Sequence, residues 1–244
     1  LSSDLLGTGV RQPIFFTLGN SSDFTFSMVK TSKINLLIES QYRKLFNLGE
    51  LKLESAFLPS SSKESIKGFL KIKGNSRLEH STFLNIDTTL ISDTSFLGKY
   101  GYDDRDRFLN LISYEKFSNN KSLQASILYH TSLRDVSTVE PLVLPDLRYR
   151  KLTKFQKSGL LLFEKYSLVG ISRRENSGYA RFSADLDLSK NWQTDTGLLI
   201  RGTANILTAA YIENKVNEKS NLLKVYPMGA LEFKYPLVKN EAQK

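Results

Sequence analysis

Apolar and polar residues alternate along most of this chain with a period of two, the signature of a strand with one side turned away from water. Phe24, Phe26 and Met28 alternate with Thr25 and Ser27. Ile34, Leu36, Ile38 and Tyr42 stand opposite Asn35, Glu39, Gln41 and Arg43, and Leu51, Leu53 and Phe57 opposite Lys52 and Glu54. Two hairpin-like pairs follow, 66–75 with 83–91 and 107–117 with 122–132. Further runs cover 147–155, 160–169, 179–188, 194–211 and 225–238. The 179–188 run sets Phe182, Ala184, Leu186 and Leu188 against Arg181, Ser183, Asp185 and Asp187. Gly19–Ser22, Asn47–Gly49, Pro59 with its serines, Ser118–Lys121, Arg173–Gly178 and Ser189–Trp192 punctuate these runs as turns. Pro141 and Pro145 are expected to interrupt pairing before Leu147. No segment carries a 3.6-residue period, so the expectation is an all-β chain of roughly a dozen strands of about ten residues. Strands of soluble sheets usually have about five or six residues, and membrane-spanning strands about 9 to 11.

Two stretches stand apart. Residues 12–18, Q-P-I-F-F-T-L, are aromatic and β-favouring, yet Pro13 cannot donate to a ladder, which places this strand at an edge or a weak seam. Residues 91–107, I-S-D-T-S-F-L-G-K-Y-G-Y-D-D-R-D-R, form a long connection with no periodicity of their own. Such loops are usually functional or disordered, and Phe96, Leu97, Tyr100 and Tyr102 argue against disorder.

The alternation fits two architectures. In a soluble sandwich the apolar faces meet in one core; in an outer-membrane barrel they meet lipid while the polar faces line a wet interior. Strand length, 11% aromatic content and the absence of cysteine favour the barrel. Without cysteine there is no disulfide framework, thiol nucleophile or cysteine-ligated zinc, and two histidines leave little for a histidine metal site. No run approaches the roughly 20 apolar residues of a spanning helix. The net charge of +9 points to an anionic partner, but the basic residues are scattered rather than gathered on one face, which disfavours nucleic acid. Asp103–Arg107 lacks the spacing of an EF-hand loop and reads as a self-paired, solvated turn. His80 beside Ser81, and His130 near Ser132, are too commonplace to make a hydrolase without an orienting third group.

The 91–107 stretch resembles a signature of the lipopolysaccharide-assembly LptD family, also called the organic solvent tolerance protein family. Its Ser-Asp-x-x-[Phe/Tyr]-[Leu/Phe] phrase falls on Ser92, Asp93, Phe96 and Leu97, followed by Tyr100, Asp104 and Arg105, and comes directly after the strand-like F-L-N-I-D-T-T-L. Other pieces are similar in the same order: Gln12–Phe16, Asp23–Thr25, Asn35–Gly49, the P-L-V-L-P of Pro141–Pro145, and Lys224–Pro227 through Tyr235–Leu237. Nearly the whole chain is covered.

The resemblance implies an antiparallel transmembrane β-barrel of outer-membrane type, with residues 1–244 supplying the N-terminal part of a barrel of roughly two dozen strands. The periplasmic jelly-roll and the later strands of full-length members are absent from this sequence. The start without Met and the C-terminus without a terminal aromatic are read as those of a partial sequence. It further implies insertion of lipopolysaccharide into the outer leaflet of the Gram-negative outer membrane, without enzymatic activity or cofactor. The implied partners are lipopolysaccharide, a plug lipoprotein like LptE, a periplasmic bridge like LptA reached through the absent domain, and outer-membrane lipid. Lipid would leave sideways through a seam in which Pro13, Phe15 and Met28 are the gate candidates. Met28 stands where the family has a second proline. Arg43, Lys52, Lys71, Lys73 and Arg181 are candidates for guiding phosphorylated sugar along the interior. A general porin or a barrel-anchored lipid hydrolase is the alternative. Counted from a periplasmic start, the 91–107 loop falls where barrels carry short turns. Either the strand count is off by one or this turn is unusually long.

Overall fold

The computed structural model describes residues 2–3, 7–34, 36–59, 66–79, 81–134, 140–173, 177–215 and 218–236. The period-two runs become strands in chain order: β1 (Ser2–Ser3), β2 (Gly7–Thr17), β3 (Ser22–Thr31), β4 (Leu37–Phe46), β5 (Gly49–Leu58), β6 (Lys67–Glu79) and β7 (Thr82–Ile91). A single short helix, α1 (Phe96–Tyr100), precedes β8 (Arg107–Ser118), β9 (Lys121–Ser132), β10 (Leu142–Phe155), β11 (Leu160–Ser172), β12 (Gly178–Gln193), β13 (Leu199–Lys215) and β14 (Glu218–Lys234). All strands lie in one sheet in sequence order, each antiparallel to the next. From β2 onward they are 10 to 17 residues long.

The sheet is open. β1 pairs only with Gly7 and Thr8, so most of β2 has a neighbour on one side alone. Among the described residues, β14 pairs with β13 and nothing else. The expected all-β antiparallel meander is present, whereas closure into a barrel is not a property of these strands.

Several boundaries differ from the sequence reading, each for a local reason. Ser189–Trp192 does not turn the chain: pairing of β12 with β13 runs unbroken to Gln193 opposite Leu199, and the turn lies at 194–198, where Gly197 takes φ 84°. Pro145 sits inside β10, with the pairing register to both β9 and β11 shifted between Val143 and Asp146, so the bulge absorbs its missing N–H. The five-residue helix was not legible, because so short an element shows no helical period.

Directly opposed residues share a face, and following them across the ladders separates the two sides. One row runs Asp23, Arg43, Lys52, Lys73, Asp87 across β3 to β7. Another runs Asn75, Asn85, Ser113, Ser126, Asp146, Val169, Arg181. The opposite side carries Ile14 and Phe26, Ile86 and Ile112, Leu168 and Phe182, and Leu188 and Ala204 as facing pairs. The sheet therefore has one polar and one apolar face.

The connections also sort by end. The chain leaves β2, β4, β6, β8, β10 and β12 at one end and β3, β5, β7, β9, β11 and β13 at the other. Residues 92–106 thus lie at the end opposite the two-residue turns 47–48 and 119–120. The two-residue β1 is far too short for a spanning strand and leaves the count from β2 as read from the sequence.

The only densely buried cluster of large apolar side chains among the described residues is asymmetric. Phe96, 1% exposed, and Leu97, 2% exposed, belong to α1. Phe96 joins Val29, Leu37 and Ala56, with Ile34, Leu58, Phe69, Tyr100 and Tyr102 packed around them. Val29, Leu37, Ala56 and Phe69 all occupy polar-face positions of β3 to β6. They form an apolar island on an otherwise hydrophilic face, and α1 covers it. Burying each large side chain contributes about 1.5–3 kcal/mol. Phe96→Ala is expected to cost about 3–5 kcal/mol through lost burial and a cavity, read as a lower denaturation midpoint with preferential loss of protection in 92–106.

Candidate functional site on the polar face

Residues 92–106 are built to fold inward. Ser92 opens the turn against β6: its N–H donates to the Gly68 carbonyl at 3.0 Å, and its Oγ accepts the Gly68 N–H at 2.7 Å. Gly68 is required there, since a Cβ would lie 2.4 Å from the Ala56 carbonyl oxygen. Asp93 then accepts from the Ser95 N–H at 2.9 Å and the Ser95 hydroxyl at 2.7 Å, fixing the start of α1. These two bonds hold the Asp93 carboxyl below its ordinary range. The helix ends at Gly101, which takes φ 71°, while the Tyr102 N–H reaches back to the Leu97 carbonyl at 2.9 Å. That reversal drives Tyr102 down onto the sheet, with its ring 4.9 Å from Phe69 and stacked at 6.0 Å on Phe96.

Beneath the loop is a cleft of about 480 Å³ lined by residues including Arg11, Pro13, Ser27, Glu39, Lys71 and Tyr102. Glu39 is at its centre. Its Oε1 accepts the Tyr102 hydroxyl at 2.6 Å; its Oε2 accepts from Arg11 Nε at 2.7 Å and also from Arg11 Nη2. Burial, reinforced by the Glu39 contact, pushes the Tyr102 phenol far above its usual value, so it stays a proton donor. Asp103 is gripped by Arg105, whose Nη2 lies 2.6 Å from Oδ2 and whose Nε lies 2.9 Å from Oδ1. The same guanidinium lies 4.7 Å over the Phe108 ring. That grip holds the Asp103 carboxyl down to about 2.

The basic candidates share the polar face but not one site. Arg43, Lys52 and Lys73 stand directly opposite one another on β4, β5 and β6. Like charges so placed repel, and each has an acid: Arg43 makes a bidentate pair with Asp23 at 2.9 and 3.0 Å, Lys52 contacts Glu54 at 2.6 Å, and Lys73 contacts Asp87 at 3.5 Å. Lys71 lies one row nearer the loop and lines the cleft. Arg181 is remote, on β12 opposite Val169 and Tyr211.

The gate candidates also divide. Pro13 lines the cleft and opposes Ser27. Phe15 shares its face but lies beside the 18–21 turn. Met28 opposes Gln12, on the apolar face, and is exposed. Of the loop residues, Ser92, Asp93, Phe96 and Leu97 form the fold of the turn, Tyr100 packs at 4.6 Å from Phe96, and Asp104 is exposed. The charged turn is self-paired through Asp103 and Arg105, as its sequence implied, but Asp106 pairs outside it with Arg134. His130 is exposed, and His80 lies outside the described residues.

Sequence reasoning missed Arg11 and the role of Glu39. Arg11 precedes the 12–18 run as it was bounded, and Glu39 is one of many polar-face acids. A usable signal existed in the broken alternation at Met28–Val29, Leu36–Ile38, Ala56–Leu58 and Phe69–Leu70, which marks an apolar footprint on four neighbouring strands.

Because Asp103 is stabilised as the carboxylate, the Arg105 pair is intact above the ordinary aspartate range and is lost as pH falls towards 2. Arg105→Ala is expected to return the Asp103 pKa towards the ordinary value near 3.9, measured by carboxyl NMR titration. Set beside known proteins, the chain matches no family model and no curated protein sequence.

Proposed function

We propose that this chain forms part of an LptD-type outer-membrane β-barrel that inserts lipopolysaccharide into the outer leaflet, with lipid leaving sideways along the edge of β2. The observation carrying the membrane reading is the uncovered apolar face. Ile14, Phe16, Ile112, Phe182, Ile206 and Leu231 are all exposed, and no second layer covers them among the described residues. A soluble sandwich needs such a layer, whereas lipid supplies it for a barrel. Strands of 10 to 17 residues suit a tilted crossing of the hydrocarbon core, and the long 92–106 connection at the end opposite the two-residue turns 47–48 and 119–120 matches the habit of outer-membrane barrels.

Lipopolysaccharide is the cargo in this reading because the ordered family-like phrases run from Gln12 to Leu237. The polar face offers matched chemistry: a hydrophilic track with cations at Arg43, Lys52, Lys71 and Lys73 for phosphorylated sugar. The remaining strands that close the barrel, a plug lipoprotein of the LptE kind and a periplasmic bridge of the LptA kind are the partners this function requires. Pro13, on a strand with one full-length neighbour, supports a seam at β2.

Depletion of the full-length protein is expected to hold lipopolysaccharide in the inner membrane and periplasm, assayed by membrane fractionation and surface labelling. Undiminished surface display overturns the transport reading, and single-channel conductance or ester hydrolysis by the isolated chain favours a porin or a hydrolase. For the membrane reading, Ile206→Lys on the apolar face is expected to cost about 2–4 kcal/mol in a bilayer. Asn205→Lys, one residue away on the face bearing Asp185, should cost far less. Equal effects in lipid-reconstituted unfolding refute a lipid-facing surface.

A further inference from the structure

We propose that residues 92–106 are a latch on the edge strand β2, fastened through Tyr102, Glu39 and Arg11. The inference concerns how the strand edge is held and stands whatever molecule passes it.

Among the described residues β2 has a full-length neighbour on one side only. Its bonds to β3 fall on even-numbered positions such as Thr8 and Leu18, so the N–H that Pro13 lacks belongs to the open edge. A strand so placed is the first of a sheet to open. A side-chain clamp supplements the ladder at that point. Arg11, two residues from Pro13 on the same face, reaches across β3 to Glu39 on β4. The crossing is possible because Ser27, which opposes both Pro13 and Glu39, is small and buried.

The Glu39 carboxylate is shared. One oxygen holds the edge strand through Arg11; the other holds the loop through the Tyr102 hydroxyl. Tyr102 reaches it because Phe96 is seated on the apolar island and Gly101 reverses the chain after α1. With the loop seated, the clamp is partly shielded from water. With the loop lifted, Arg11 and Glu39 become an ordinary solvated pair of small value, and β2 is held by its ladder to β3 alone. Docking of the loop and fastening of the edge are thereby one event, and the coupling runs both ways.

Hydrogen exchange on the full chain tests this. Tyr102→Phe keeps the ring packing and removes the shared hydrogen bond; it is expected to raise amide exchange in residues 9–17 about tenfold and leave β12 and β13 unchanged. Tyr100→Phe, which removes a hydroxyl with no hydrogen bond among the described residues, leaves β2 protection as it was. From the other side, Arg11→Lys is expected to speed exchange in 96–102. Glu39→Gln combined with Tyr102→Phe should go no further than the larger single change. Unchanged β2 exchange in Tyr102→Phe, a uniform rise across all strands, or additive effects in the double variant each overturn the latch. Loss of lipopolysaccharide transport with β2 protection unaltered overturns the latch without touching the transport reading.

Discussion

The seating of Phe96 on Val29, Leu37, Ala56 and Phe69 is the contact from which the 92–106 connection takes its place on the polar face. A single antiparallel sheet has no interior of its own, and its ladders leave both faces open. Where four adjacent strands present apolar residues on the hydrophilic side, water must be excluded by something else. The connection between β7 and β8 does this by turning inward, with Ser92 tied to Gly68, Asp93 accepting from Ser95 just ahead of α1, and Gly101 ending the helix. From that seat Tyr102 reaches the Glu39 carboxylate.

Two edges set the limits of the structure. Among the described residues β14 is long, exposed and paired on one side, and β2 is paired with β3 along one side while Pro13 presents no N–H to its open edge. Free edges recruit further strands, and a sheet that is apolar on one face and polar on the other has its natural closed form in a barrel. The two ends of the sheet are not equivalent in side-chain support. β2 has Arg11 anchored to Glu39, so its edge is steadied from above the sheet as well as along it.

The cations of the polar face illustrate how a basic chain avoids a localised positive site. Arg43, Lys52 and Lys73 oppose one another, yet Asp23, Glu54 and Asp87 lie within ion-pairing distance. The result is a hydrophilic row in which three adjacent cations are each offset by an acid, rather than a single anion-binding cluster.

The alternation of residues along the chain determined the all-β architecture, the order of the hairpins and the sorting of side chains to two faces, because a period of two is a local property of each strand. Phe182 against Arg181, or Ile86 against Asn85, can be assigned without knowing any neighbour. The edge position of the Pro13 strand was legible for the same reason, since a missing donor is written in one residue. The fold of residues 92–106 was not, because α1 is shorter than two helical turns and its stability comes from an island contributed by β3, β4, β5 and β6. Nor was the meeting of Arg11, Glu39 and Tyr102, whose numbers lie 28 and 63 residues apart. Only the register of three strands and the inward turn of a distant loop bring one carboxylate within reach of both partners.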